Sequence, residues 1–171
     1  MNDSSNNPKI LIVEDDPDQM NLLIEFVMGE IRKMALDQQL SDQLRPLLKR
    51  IQIIKVDNVA SLQRAASKYQ GVILSLLDGN IPDANGQVPN DQLVKTNHRI
   101  TGQHRSVDII SQGFPNTPIT IISSFNRFKK IVVNYYDTQH DLSINFISKR
   151  DTEKTKKNIA YYLRQYLRTQ S

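Results

Sequence analysis

The sequence predicts an α/β domain wound around a parallel sheet of five strands. Five short apolar, β-branched runs alternate with segments of helical period, which is the pattern of a parallel sheet flanked by helices. The runs are continuously apolar rather than alternating, as strands buried on both faces require. Parallel strands joined by right-handed crossovers place all their C-terminal ends on one edge, where such sheets bind ligands.

The first strand is "KILIV", 9–13, and "DDPDQ" follows it. Asp16 suits a helix N-cap with Pro17 at the first helical position, and Leu23, Val27, Ile31 and Met34 recur at helical spacing. That helix is expected to run on toward Leu40. A second start signal begins at Ser41, with Pro46 expected to kink or end the piece. The second strand is "IQIIKV", 51–56, after which Asn58 caps a short helix through Val59, Leu62 and Ala66. The third strand is "GVILSLL", 71–77. A long polar stretch without a period follows, and "HRSVDIISQ" reads as a helix of a few turns. "TPITIISS", 117–124, is the fourth strand, "FNRFKKIVVNYYDTQ" a helix over 125–139, and "SINFIS", 143–148, the fifth strand. Asp151 caps a last helix with an apolar stripe of Ile159, Leu163, Tyr166 and Leu167.

The 171 residues suit one domain, 1–171, with a flexible N-terminus at 1–8 and an insertion loop at 83–102. No apolar run approaches the ~18 residues of a membrane span. The polar start "MNDSSNNPK" has no signal-peptide core. The absence of cysteine excludes disulfides and thiolate metal sites. Together these predict a cytoplasmic protein. Of the net charge of +4, the segment 127–171 holds 10 Lys/Arg against 4 Asp/Glu, so the rest of the chain is net acidic. The basic end reads as a solvated surface or as a face for an acidic partner. It has no nucleic-acid recognition motif, so nucleic acid is not the expected partner.

The strand ends carry the chemistry. The first strand ends in Glu14, Asp15 and Asp16, the third in Asp78, the fourth in Ser123 and Ser124, and the fifth in Lys149. Carboxylates brought side by side repel one another unless a cation holds them. Oxygen ligands without His or Cys indicate a hard ion, magnesium in a cell. A lysine and a hydroxyl beside them can meet a phosphoryl oxygen. The set suits phosphoryl transfer onto a carboxylate. Asp16 is the exception, better read as a helix cap. His98, His104 and His140 lie in polar surroundings and read as solvated. Tyr135, Tyr136, Tyr161, Tyr162 and Tyr166 divide between core and a docking surface.

The pieces "ILIVEDDP", "LLDGNIPDANG", "TPITIISS" and "FISK", in this order and each at a strand end, resemble the receiver domain of two-component response regulators. The resemblance spans about 9–167. It implies the flavodoxin-like receiver fold with strand order 2-1-3-4-5, here with insertions before the second strand and after the third. It implies that Glu14, Asp15, Asp78 and the backbone carbonyl of Asn80 hold Mg2+. Asp78 would be the phosphoacceptor, Lys149 and Ser123 would contact the phosphoryl group, and Phe146 would be the switch aromatic that turns inward on activation. A histidine kinase or phosphotransfer protein would be the donor. The output would be binding to a downstream protein through the face of helix 125–139, the fifth strand and the last helix. Such a protein catalyses only its own phosphorylation and dephosphorylation and is not otherwise an enzyme.

The sequence departs from the family at two places. Ser124 stands at the small position after the hydroxyl residue, and Arg150 follows the lysine where the family has proline. A cis bond before a residue other than proline costs about 2.5–4 kcal/mol. Lys149–Arg150 is therefore expected to be trans with a shifted lysine, or strained. Arg150 and the insertion also motivate the alternative of a receiver-like binding module that is never phosphorylated.

Overall fold

The computed structural model describes residues 7–79, 81–82, 103–124 and 144–170, with residues 103–105 described by backbone alone. The elements, in chain order, are β1 (Lys9–Val13), α1 (Pro17–Ala35), α2 (Arg45–Lys49), β2 (Gln52–Val56), α3 (Val59–Lys68), β3 (Val72–Asp78), α4 (Gln103–Gly113), β4 (Ile119–Ser123), β5 (Ile144–Ser148) and α5 (Thr152–Arg168). Residues 1–6, the insertion 83–102, the predicted helix 125–139, Asn80, His98, His140, Tyr135 and Tyr136 lie outside the described residues, as does the side chain of His104.

The five strands form one sheet in the order β2-β1-β3-β4-β5, every pair parallel. This is the order the resemblance implied. The uninterrupted apolar runs have the predicted consequence: β1 and β4 are buried at every position. Alternate residues feed two cores. Leu11, Val13, Ile54, Leu77 and Ile121 pack on one side with Leu62 of α3 and Val107 and Ile110 of α4. Ile10, Ile12, Leu74, Leu76 and Ile122 pack on the other with Leu23 and Val27 of α1 and Ile159 and Leu163 of α5.

The caps form where their residue types predict. Asp16 Oδ1 accepts from the backbone N–H groups of Asp18 and Gln19 at 2.8 and 3.2 Å. Asn58 Oδ1 accepts from Ser61 N at 2.8 Å, and Asp151 Oδ1 from Lys154 N at 3.0 Å. These side chains satisfy N–H groups that the first helical turn leaves without carbonyl partners.

Three expectations need correction. The first helix stops at Ala35 rather than running on toward Leu40. Pro46 does not end a helix but lies in the first turn of α2, where the missing N–H has no intrahelical acceptor to lose. In α5, Tyr166 is only half-buried, and Thr155 and Ala160 complete the buried face. Ahead of β1, Pro8 is buried and its carbonyl accepts from Gln52 N at 2.9 Å.

Helices α3 and α4 approach closely at Gly113, where an added Cβ would lie 2.5 Å from Ala66 Cβ. Helix propensity alone favours Ala over Gly by up to about 1 kcal/mol. Here the clash decides the sign, so Gly113→Ala should lower unfolding stability by about 1–3 kcal/mol in urea titration. Adding Ala66→Gly should restore most of the loss.

Candidate functional site

Strand register assembles the site. Val13 of β1 pairs with Leu77 of β3, so Glu14, the next residue, comes beside Asp78. Asp78 pairs with Ile122, which puts Ser123 one step further along the same edge. Ser123 pairs with Ser148, and Lys149 N then donates to the Ser123 carbonyl at 3.1 Å. Four side chains remote in sequence thus reach one sheet edge.

The central contact is a lysine between two carboxylates. Lys149 Nζ lies 3.0 Å from Glu14 Oε2 and 3.1 Å from Asp78 Oδ1, and donates to Glu14 Oε1 at 3.3 Å. Gly79 N–H donates to Asp78 Oδ1 at 2.7 Å. Both contacts to Asp78 fall on Oδ1, and no hydrogen bond within the described residues falls on Oδ2. Glu14, Ser123 and Asp78 are buried, Lys149 is half-buried, and Asp15 is exposed. Asp15 joins the cluster nonetheless: one carboxylate oxygen each from Glu14, Asp15 and Asp78 lie within 4.8 Å of one another.

Burial raises the pKa of both buried carboxyls. For Glu14 the nearby Asp78 charge adds to the rise, and Lys149 opposes it. For Asp78 the Lys149 ammonium and the Gly79 N–H oppose the rise, and Asp15 adds to it. Burial alone would lower Lys149, but Asp78 and Glu14 outweigh it and hold the ammonium above its ordinary value. One lysine therefore leaves the buried acids undercompensated.

The donor set fits a hard divalent cation. It is oxygen only: one carboxylate oxygen each from Glu14, Asp15 and Asp78 fall in one cluster, with a single ammonium, Lys149, between the two buried acids. Clustered carboxylates that one ammonium leaves net negative are stabilised by a divalent cation.

The other sequence-named residues fall as follows. The Asp16 side chain is exposed and engaged as the α1 cap, while its backbone N–H donates to Glu14 Oε1 at 3.3 Å. Phe146 is buried in the α3–α4 core, on the strand paired through Ile121. Ser124 and Arg150 are exposed. No cis peptide occurs among the described residues, so Lys149–Arg150 is trans, and the lysine still reaches both acids. Arg150 N–H donates to Ser148 Oγ at 3.3 Å, a bond that proline could not make. Sequence reasoning missed the Gly79 N–H, because a backbone donor carries no residue-type signal.

Comparison of folds gives consistent neighbours. A response regulator receiver protein from Sinorhizobium medicae matches at 13% identity over 96% of this chain and 97% of that one, with a TM-score of 0.53. The N-terminal domain of a response regulator/sensory box/GGDEF three-domain protein from Carboxydothermus hydrogenoformans matches at 15% over 95% and 99%, with a TM-score of 0.54. A CheY-like receiver domain from Methanospirillum hungatei matches at 12% over 92% and 98%, with a TM-score of 0.53. No protein-family model matches the chain, and no curated protein does. At these identities the likeness is one of fold, and the fold is that of response regulator receivers. Among the described residues, no helix is long and apolar enough to cross a membrane.

A carboxyl whose native pKa is raised keeps its proton longer folded than unfolded. Stability then falls as pH rises from the ordinary carboxyl value, about 4, through the raised native value. In EDTA, Asp78→Asn should therefore gain on wild type between pH 4 and neutrality, by on the order of 1 kcal/mol at pH 7.5. Thermal melts should show this as a Tm about 2–4 °C higher. Lys149→Ala should move oppositely at pH 7.5, losing about 3 kcal/mol as two buried carboxylates lose their counter-charge. Two variants shifted in the same direction would contradict this electrostatic account.

Proposed function

We propose that this chain is a phosphoacceptor receiver that takes a phosphoryl group on Asp78 from a histidine kinase or phosphotransfer protein. The supporting observation is the Lys149 ammonium held between Glu14 Oε2 and Asp78 Oδ1 at 3.0 and 3.1 Å, with Asp15 beside them. Charge of both signs is concentrated where a phosphoryl group would arrive.

Glu14, Asp15, Asp78 and the carbonyl of Asn80 would hold Mg2+, which supplies neutralisation of charge on the transferring phosphoryl oxygens. Asp78 Oδ2 is the nucleophile, since Oδ1 is engaged by Gly79 and Lys149. A new O–P bond forms as the P–N bond of the donor phosphohistidine breaks. The electron pair of that bond returns to the donor imidazole, and an acyl phosphate is left on Asp78. Lys149 then divides its charge between Glu14 and the phosphoryl oxygens. Ser123, buried at the next position along the edge, donates its hydroxyl to one of them. Phe146 packs one strand pair away, so a shift at Ser123 is relayed to the core under β5.

On this reading the chain is one receiver domain with an insertion, working in the cytoplasm. It signals by binding a downstream protein through the face formed by residues 125–139, β5 and α5. It does no chemistry on external metabolites. The trans Lys149–Arg150 bond, with the lysine still in reach of Asp78, weighs against the alternative of a binding module that is never phosphorylated.

Incubation with acetyl phosphate and Mg2+ should add one phosphoryl group to wild type, read by intact mass. Asp78→Asn should stay unmodified, EDTA should abolish the reaction, and Lys149→Ala should slow it about 10²-fold. Saturable Mg2+ stabilisation in thermal melts should disappear in Asp15→Asn. Equal labelling of wild type and Asp78→Asn would refute the assignment.

A further inference from the structure

We propose that the outer edge of β2, with the groove between β2 and α3, is a docking site for an extended acidic segment of a partner protein. This surface is distinct from the Asp78 site and from the face of β5 and α5.

The argument begins with the backbone. Among the described residues, β2 is an outer strand of the sheet, with β1 on one side only. Gln52 N–H donates to the Pro8 carbonyl, and the Val56 carbonyl accepts from Glu14 N–H. Gln52, Ile54 and Val56 therefore turn their backbone groups toward β1. Backbone direction alternates along a strand, so Ile53 and Lys55 turn theirs outward. Those outward N–H and C=O groups are a template on which another extended chain can add a strand.

The groove supplies room and charge. A cavity of about 740 Å³ runs between the β2 edge and α3 and includes Lys55, Ser61, Arg64, Lys68 and Tyr69. On the groove side, α3 carries Arg64 and Lys68 and no acid, although the chain before residue 127 is net acidic overall; Lys55 shares the other face of β2 with Ile53. On α3, Ser61, Arg64 and Lys68 stand at spacings of three and four, so they share one face of the helix. Ser61 Oγ accepts from Arg64 Nη2 at 2.8 Å, and the Lys68 ammonium sits 5.1 Å from the Tyr69 ring centroid. No carboxylate among the described residues pairs with Arg64 or Lys68. Strand addition uses the backbone for affinity, while the cations select a segment bearing Asp or Glu.

The test uses the full chain and a synthetic heptapeptide of alternating Glu and Val, with its Lys/Val counterpart as control. The Glu peptide should bind saturably, more weakly as salt rises, and should slow amide exchange at Ile53 and Lys55. The combined change Arg64→Glu and Lys68→Glu should weaken it at least about tenfold, while acetyl phosphate labelling at Asp78 stays unchanged. Equal binding of the Lys peptide, or exchange protection elsewhere but not at β2, would overturn the proposal. So would protection of Ile53 and Lys55 in the free protein. Protection that grows with protein concentration would assign the edge to a second copy, and protection independent of it to a segment of the same chain.

Discussion

The organising constraint of this molecule is two buried carboxylates, Glu14 and Asp78, sharing one ammonium, Lys149. Buried like charges in a sheet edge are unfavourable unless compensated. The geometry that brings them together is not local: β1, β3 and β5 each contribute one group, and β4 must lie between β3 and β5 for the lysine to arrive. Parallel pairing fixes this arrangement, because a one-residue slip of β1 against β3 would turn Glu14 to the other face of the sheet. The apolar cores on both sides hold the register that the charges alone would oppose.

Much of this was legible in the residues, for identifiable reasons. Each strand is a continuous apolar run with a polar stop, so Asp78 and Lys149 could be placed at strand ends before any contact was known. Asp16, Asn58 and Asp151 announced helix starts because short polar side chains cap free N–H groups by a local rule. Pro46 was misread because proline ends a helix interior but suits a first turn, and residue type does not say which applies. Ile51 was assigned to a strand, yet its N–H still bonds the Leu48 carbonyl in the turn after α2. Apolar character cannot separate a strand's first residue from the turn before it. The Gly79 donor was invisible in sequence, since it depends on where backbone and neighbours fall in three dimensions.

Arg150, standing where the receivers that the sequence resembles carry proline, shows how a loop can reach one end by a different route. Proline would restrict the backbone and give no donor; Arg150 supplies an N–H that the Ser148 hydroxyl accepts. The adjacent Asp151 N–H bonds the Ser148 carbonyl at 2.9 Å. The loop is thus tied by hydrogen bonds to the end of β5, and the lysine it carries is held at the acidic edge.

The same loop joins the lysine to the last helix with almost no slack. Asp151, two residues after Lys149, is the cap of α5, and a helix of 17 residues is about 25 Å long. Ile159, Leu163 and Leu167 seat that rod in the core along its length. A turn of about 4° about its first turn would carry the far end, near Arg168, through roughly 2 Å, so any such tilt would have to repack the apolar face that α5 shares with α1.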